Sequence, residues 1–204
     1  MSNSTPISNI DNGLSSKKVL KLALFFEIPL ACPFLVYCWY RDDWSAFSSP
    51  SYIQIIYAIT LSLLLFLLNM FFYYFTYRYR LRGIISFIEG VVEPLAMSLN
   101  PLSALIVSIA AGIGEEFFFR GFLLPNTGLL ISSLAFAALH FLFEIRRFFI
   151  LCVIYALIGI FFGLVYMQTA TSIWVVVFFH SLYDFFALLF FRSKFRLKLK
   201  NGYQ

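Results

Sequence analysis

Glu115, Glu116 and Arg120 fall within one apolar stretch, Gly114-Glu115-Glu116-Phe117-Phe118-Phe119-Arg120-Gly121, and the only two histidines, His140 and His180, fall in two others. An ionisable side chain at the centre of a membrane span costs roughly 2.5–3.5 kcal/mol on insertion scales, so it needs a partner or a task. Glu116 and Arg120 are four residues apart and can pair along one helix face. Successive helical residues differ by about 100°, so Glu115 points elsewhere, away from the one cation of its helix. A carboxyl left in that position can serve as general acid or base near neutral pH. His180 precedes Asp184 by four residues and shares its face, and His140 follows Phe136 at the same spacing. One buried histidine alone is usually a satisfied structural group. Two of them, with an unpaired Glu and an Asp in register, make a buried acid–base site the better account.

Those residues must be positioned by membrane helices. The 204-residue chain is 61% hydrophobic and 12% charged, with a mean hydropathy of +0.86. Soluble domains run nearer 45–50% apolar and about 25% charged, so a water-facing fold of this size is excluded. The net charge of +5 does not indicate nucleic acid, because the basic residues sit at the borders of apolar runs. Cys32, Cys38 and Cys152 lie in or beside apolar runs without metal or disulfide spacing and read as small buried hydrophobes.

A bilayer core takes about 20 apolar residues as a helix. On that measure spans are expected near 20–39, 51–75, 102–124, 128–143, 148–167 and 172–191, the fourth short. A weaker segment, 84–99, holds Glu89, Gly90, Glu93 and Pro94 and reads as an interfacial or re-entrant helix. The expected fold is therefore all-α, a polytopic transmembrane bundle of about six spans plus that helix. Residues 1–16, Ser/Asn-rich, read as a disordered tail. Residues 17–200 read as a single transmembrane domain with its chemistry at 100–191. Lys17, Lys18 and Lys21 before an apolar run imitate a signal peptide, and Pro29-Leu30-Ala31-Cys32 imitates a lipoprotein cleavage site. Glu27 inside the run and Pro29 argue instead for an uncleaved first helix. Glu27, Glu89 and Glu93 read as interfacial or water-lining, with a substrate role as the lesser alternative, and Glu144 with Arg146 and Arg147 as a loop pair. Lys17/Lys18/Lys21, Arg78/Arg80/Arg82, Arg146/Arg147 and Arg192 to Lys200 mark one side of the membrane. This predicts cytoplasmic chain ends.

Taken in order, Glu-Glu-x-x-x-Arg at 115–120, Phe-x-x-x-His at 136–140 and His-x-x-x-Asp at 180–184 resemble the CPBP family. These are the type II CAAX prenyl endopeptidases and the bacteriocin-processing, or Abi, enzymes. The resemblance covers about residues 100–190, and the first two spans carry none of its signature. It implies an intramembrane endopeptidase of a prokaryotic inner or plasma membrane, acting on a membrane-associated peptide or lipidated protein. Prenylated CAAX-type and other hydrophobic or leader peptides are the substrates it suggests.

By the same resemblance Glu115 activates a water, His140 holds that water and shares its proton, and His180 with the group at 184 stabilises the oxyanion. Glu116 and Arg120 then act as structural support. Family members carry Asn or Asp at the last position. An ionised Asp184 accepts but cannot donate a hydrogen bond, so it must be protonated or must orient His180. Glu115, His140, His180 and Asp184 also make a conceivable ligand set for a divalent metal such as zinc. No His-Glu-x-x-His spacing is present, and a cofactor-free reaction is expected. Two other readings use the same residues: a bacteriocin-immunity or binding protein that does not turn over, and an ion-coupled transporter. The second lacks an inverted repeat in the sequence.

Overall fold

The long apolar runs become long helices, because lipid offers backbone groups no partner and each must be satisfied within its own segment. In the computed structural model residues 15–141 and 146–200 are described. They form seven helices: α1 (Ser16–Arg41), α2 (Tyr52–Arg78), α3 (82–98), α4 (Pro101–Thr127), α5 (Leu129–Phe141), α6 (Phe149–Gln168) and α7 (Ile173–Lys200). No strand occurs among the described residues. The all-α bundle expected from the sequence is what the chain forms.

Each expected span corresponds to a helix of the structure, the fourth as a short one. Five helices, α1, α2, α4, α6 and α7, are long and apolar enough to cross a membrane. The fourth expected span, 128–143, is the 13-residue α5. At 1.5 Å per residue its described part rises about 20 Å, and the chain returns through it toward the end where Arg147 meets Ser86. Residues 142 and 143, and Glu144 of the expected loop pair, lie outside the described residues. Most of the expected tail, up to residue 14, does so too. Its last residue already belongs to α1, which starts at Ser16 with the Ser15 side chain accepting from Lys18 N–H at 3.3 Å. Cys32 is exposed on α1, so the buried reading fails for it, while Cys38 is buried.

Helix directions follow from the contacts. Ser16 meets Ser103, Glu27 lies against Gly114, and Phe34 lies against Gly121. The sequence offset between partners stays constant, so α1 and α4 run parallel and in register. α7 runs beside α2 in the same sense, with Ser62 Oγ donating to the Phe179 carbonyl at 2.9 Å and Asn69 Nδ2 to Tyr183 Oη at 2.7 Å. α5 and α6 are antiparallel, Ser133 against Gly159 and Leu129 against Gly163. One end of the bundle gathers the starts of α1 and α4, the helix α3 and the end of α7, where Lys198 pairs with Glu89 at 3.5 Å. The other end joins the α1–α2 and α6–α7 connections through Ser172 Oγ to the Ser48 carbonyl, 2.8 Å. Every Lys and Arg of the chain except Arg41 and Arg120 lies toward the first end. Large apolar side chains such as Phe25, Phe26, Ile53 and Phe71 face outward, as lipid requires.

Two helices widen locally into π-helical turns, Ile88–Val92 in α3 and Phe117–Leu123 in α4. Each contains a glycine four residues ahead of a proline: Gly90 before Pro94, Gly121 before Pro125. The proline has no N–H for that glycine's carbonyl and its ring crowds it, so the turn expands instead of breaking. In α4 the wide turn follows directly on the Glu115–Glu116 pair.

Candidate active site

The site lies halfway along α4, where Glu115 and Glu116 are both buried. Glu116 turns toward α6 and α7. Its Oε1 receives Arg120 Nη1 at 3.0 Å and His180 Nδ1 at 2.7 Å. Arg120, 1% exposed, donates its second amine to the Gly159 carbonyl of α6 at 3.1 Å. Its guanidinium lies between the rings of Phe136 and Phe162, 4.9 and 5.1 Å from their centroids. The ion pair expected from the spacing is present. Its link to His180 has no counterpart in the local sequence pattern.

Glu115 turns the other way, into a more open space. Its Oε1 lies 3.7 Å from His140 Nε2, and its Oε2 lies 4.0 Å from His180 Nε2. Both distances exceed a hydrogen bond and suit a bridging water. The imidazole of His140 is 27% exposed against 7% for that of His180, so the site opens beside α5. His180 Nε2 also faces Asp184 Oδ2 at 3.3 Å. The structure therefore brings together Glu115, His140, His180 and Asp184 from three helices, with Glu116 and Arg120 behind them.

Local structure sets each ring. His140 Nδ1 lies 2.9 Å from the Phe136 carbonyl, which can only accept; Nδ1 carries the hydrogen, and a neutral ring presents the Nε2 lone pair to Glu115. Ser132 and Phe136 share the face of His140, and Ser132 Oγ donates to the Phe119 carbonyl at 2.8 Å. That bond ties α5 to the wide turn of α4 and aims the face at the acids. Tyr155 of α6 packs its ring 4.8 Å from that of His140. His180 presents both nitrogens to carboxylates. Both contacts are made only if the ring carries two protons or one carboxyl holds one.

Close helix approach makes this possible. A Cβ at Gly112 would meet Ser181 Oγ and, at 3.0 Å, the Val177 carbonyl of α7. At Gly114 it would meet Glu27 of α1, both its Oε2 and, at 2.6 Å, its carbonyl oxygen. Glu27 thus packs against the residue next to Glu115, which suits the substrate role kept as its lesser expectation. Its central place in a span with no cation nearby was the signal available.

Among the described residues no group of three or more His, Cys, Asp or Glu is arranged to hold a metal ion. His180 turns its nitrogens to Glu116 and Asp184, at 2.7 and 3.3 Å. The ligand set conceivable from the sequence does not fit a metal in this arrangement.

Residues 97–186 match a family model described as Type II CAAX prenyl endopeptidase Rce1-like. The segment resembles an Rce1-like domain. It contains Glu115, Glu116, Arg120, His140, His180 and Asp184, and agrees with the CPBP resemblance. α1, α2 and nearly all of α3 lie outside the Rce1-like match, Glu27 among them. No curated protein and no solved structure matches the chain.

Proposed function

We propose that this integral membrane protein is an intramembrane endopeptidase that hydrolyses a peptide bond by a Glu115-activated water. The reading rests on Glu115 Oε1 and His140 Nε2, which at 3.7 Å are too far apart for a direct hydrogen bond and near enough to hold one water jointly from the side, within the segment that matches the Rce1-like model. Glu115 takes a proton from that water while the His140 lone pair orients it. The water oxygen attacks the scissile carbonyl carbon, and the resulting oxyanion lies toward His180 Nε2–H. Asp184, at 3.3 Å from the same nitrogen, holds the ring. Collapse breaks the C–N bond, and the proton held by Glu115 passes to the leaving amine. The products are a carboxylic acid and an amine.

An apolar cleft of about 430 Å³ between α2, α4 and α7 is bordered by Ile109, Ile113, Val177 and Ser181, on the turns of α4 and α7 that carry Glu115 and His180. It suits a hydrophobic or lipidated substrate, such as a prenylated CAAX-type peptide. The basic end of the bundle is cytoplasmic in this reading, by the positive-inside rule.

The test is cleavage by protein purified in detergent, with prenylated CAAX peptides and hydrophobic leader peptides as probes. Glu115→Gln and His140→Ala abolish cleavage while the protein remains monodisperse. Retained cleavage in Glu115→Gln would sink the proposal. Cleavage persists after exhaustive chelation. Loss on chelation with recovery on adding Zn²⁺ would assign water activation to a metal instead.

A further inference from the structure

We propose that Glu27 of α1 is a substrate-contacting residue of this site, its buried Oε2 accepting a hydrogen bond from a backbone N–H of the bound peptide beside the scissile bond. The assignment rests on the peptidase reading and extends it to a helix outside the Rce1-like match.

Three observations carry it. First, Glu27 lies near the middle of a long apolar helix whose neighbours Phe25, Phe26 and Ile28 face lipid. A carboxyl there is costly, and in a membrane helix such a group marks a functional position by default. Second, its Oε2 is buried and has no hydrogen-bond partner among the described residues. An acceptor buried without a partner loses its hydration and gains nothing in return, so a donor from outside the chain resolves the deficit. Third, the parallel register of α1 and α4 sets Glu27 against Gly114, next to Glu115. Glu115, Asp184 and His180 are all within its electrostatic reach.

The donor's identity follows from what surrounds the group. Arg120 is committed to Glu116 and Gly159 and His180 to Glu116 and Asp184, leaving no Lys or Arg among the described interior residues for Glu27. An extended peptide brought to Glu115 for attack presents backbone N–H groups on either side of its scissile carbonyl. One of these completes the Glu27 acceptor and fixes the carbonyl over the water. Loss of that bond disfavours correct placement of the peptide and leaves the proton chemistry of Glu115 in place.

The experiment uses the full chain in detergent and an internally quenched farnesylated CAAX peptide. Glu27→Ala lowers kcat/KM roughly ten- to hundredfold, the range of a hydrogen bond to a charged group, chiefly through KM. Glu27→Gln, which keeps an acceptor oxygen, recovers most of it. A series of peptides N-methylated at one backbone position at a time supplies the decisive readout. One position costs wild type a similar factor and costs Glu27→Ala nothing further, a coupling that a purely structural role would not produce. Cleavage lost in Glu115→Gln yet within twofold of wild type in Glu27→Ala overturns the assignment and leaves the peptidase reading standing. So does an N-methyl penalty that is identical in both proteins at every position. Failure of wild type to cleave any probe overturns both.

Discussion

Glu115 and Glu116 are neighbours in one helix and end in opposite halves of the site. On the Glu116 side, Arg120, Gly159 and His180 Nδ1 close up at 2.7–3.1 Å behind a wall of phenylalanine rings. On the Glu115 side the gaps to His140 and His180 are 3.7 and 4.0 Å, and an imidazole is partly exposed. On the proposed reading the contrast separates a frame from a reacting centre: the groups assigned to hold position are in contact, and those assigned to move protons through a water are held just apart. One turn of helix suffices to build both, because a step of about 100° sends adjacent side chains to different neighbours.

Breaking the frame has the largest expected effect. Arg120→Ala leaves Glu116 a buried charge without its cation, a loss of about 3–5 kcal/mol. The yield of monodisperse protein and its melting temperature should both fall sharply. Near-normal stability in that variant would erase the distinction between the halves. On the open side, Glu115→Gln reduces cleavage by about 10²–10⁴-fold, the usual share of general acid–base catalysis. Its melting temperature stays within about 2–4 °C of wild type, equivalent to no more than about 1 kcal/mol. Gly114→Ala pushes α1 off α4 and costs about 1–3 kcal/mol by overpacking, seen as a lower melting temperature together with weaker cleavage. Removing the Asn69–Tyr183 tie with Asn69→Ala costs about 0.5–1.5 kcal/mol by the same measurement. Lys198→Ala, at an exposed pair with Glu89 far from either half, changes stability by about 1 kcal/mol at most.

Much of this was legible in the sequence where the signal is local. Apolar run length gave the long helices, and the i, i+4 spacings of Glu116 with Arg120 and His180 with Asp184 correspond to contacts of 3.0 and 3.3 Å. The shortness of α5 was readable too, in the short apolar run between Gly128 and the charged residues that follow it. The wide turns had a readable cause in the Gly-x-x-x-Pro spacings at 90–94 and 121–125. Contacts between distant segments were out of reach. Glu116 and His180 meet across α4 and α7, and Glu27 reaches the site only because α1 and α4 are in register. No local pattern encodes either, and a lone glutamate beside a proline reads as unremarkable until the opposing helix shows a glycine.

The parallel pairing of α1 with α4 also bears on biosynthesis. Chains emerge N-terminal first, so α1 is in place long before α7 has been made. Yet α7 brings His180 and Asp184 to the seat that α1 and α4 prepare. A nascent chain paused before α7 therefore carries Glu115 and His140 but lacks His180 and Asp184, and the proposed site is complete only with the last described helix. On the proposed peptidase reading, such a chain would stay silent inside the insertion machinery, where unfinished membrane proteins would otherwise lie within its reach.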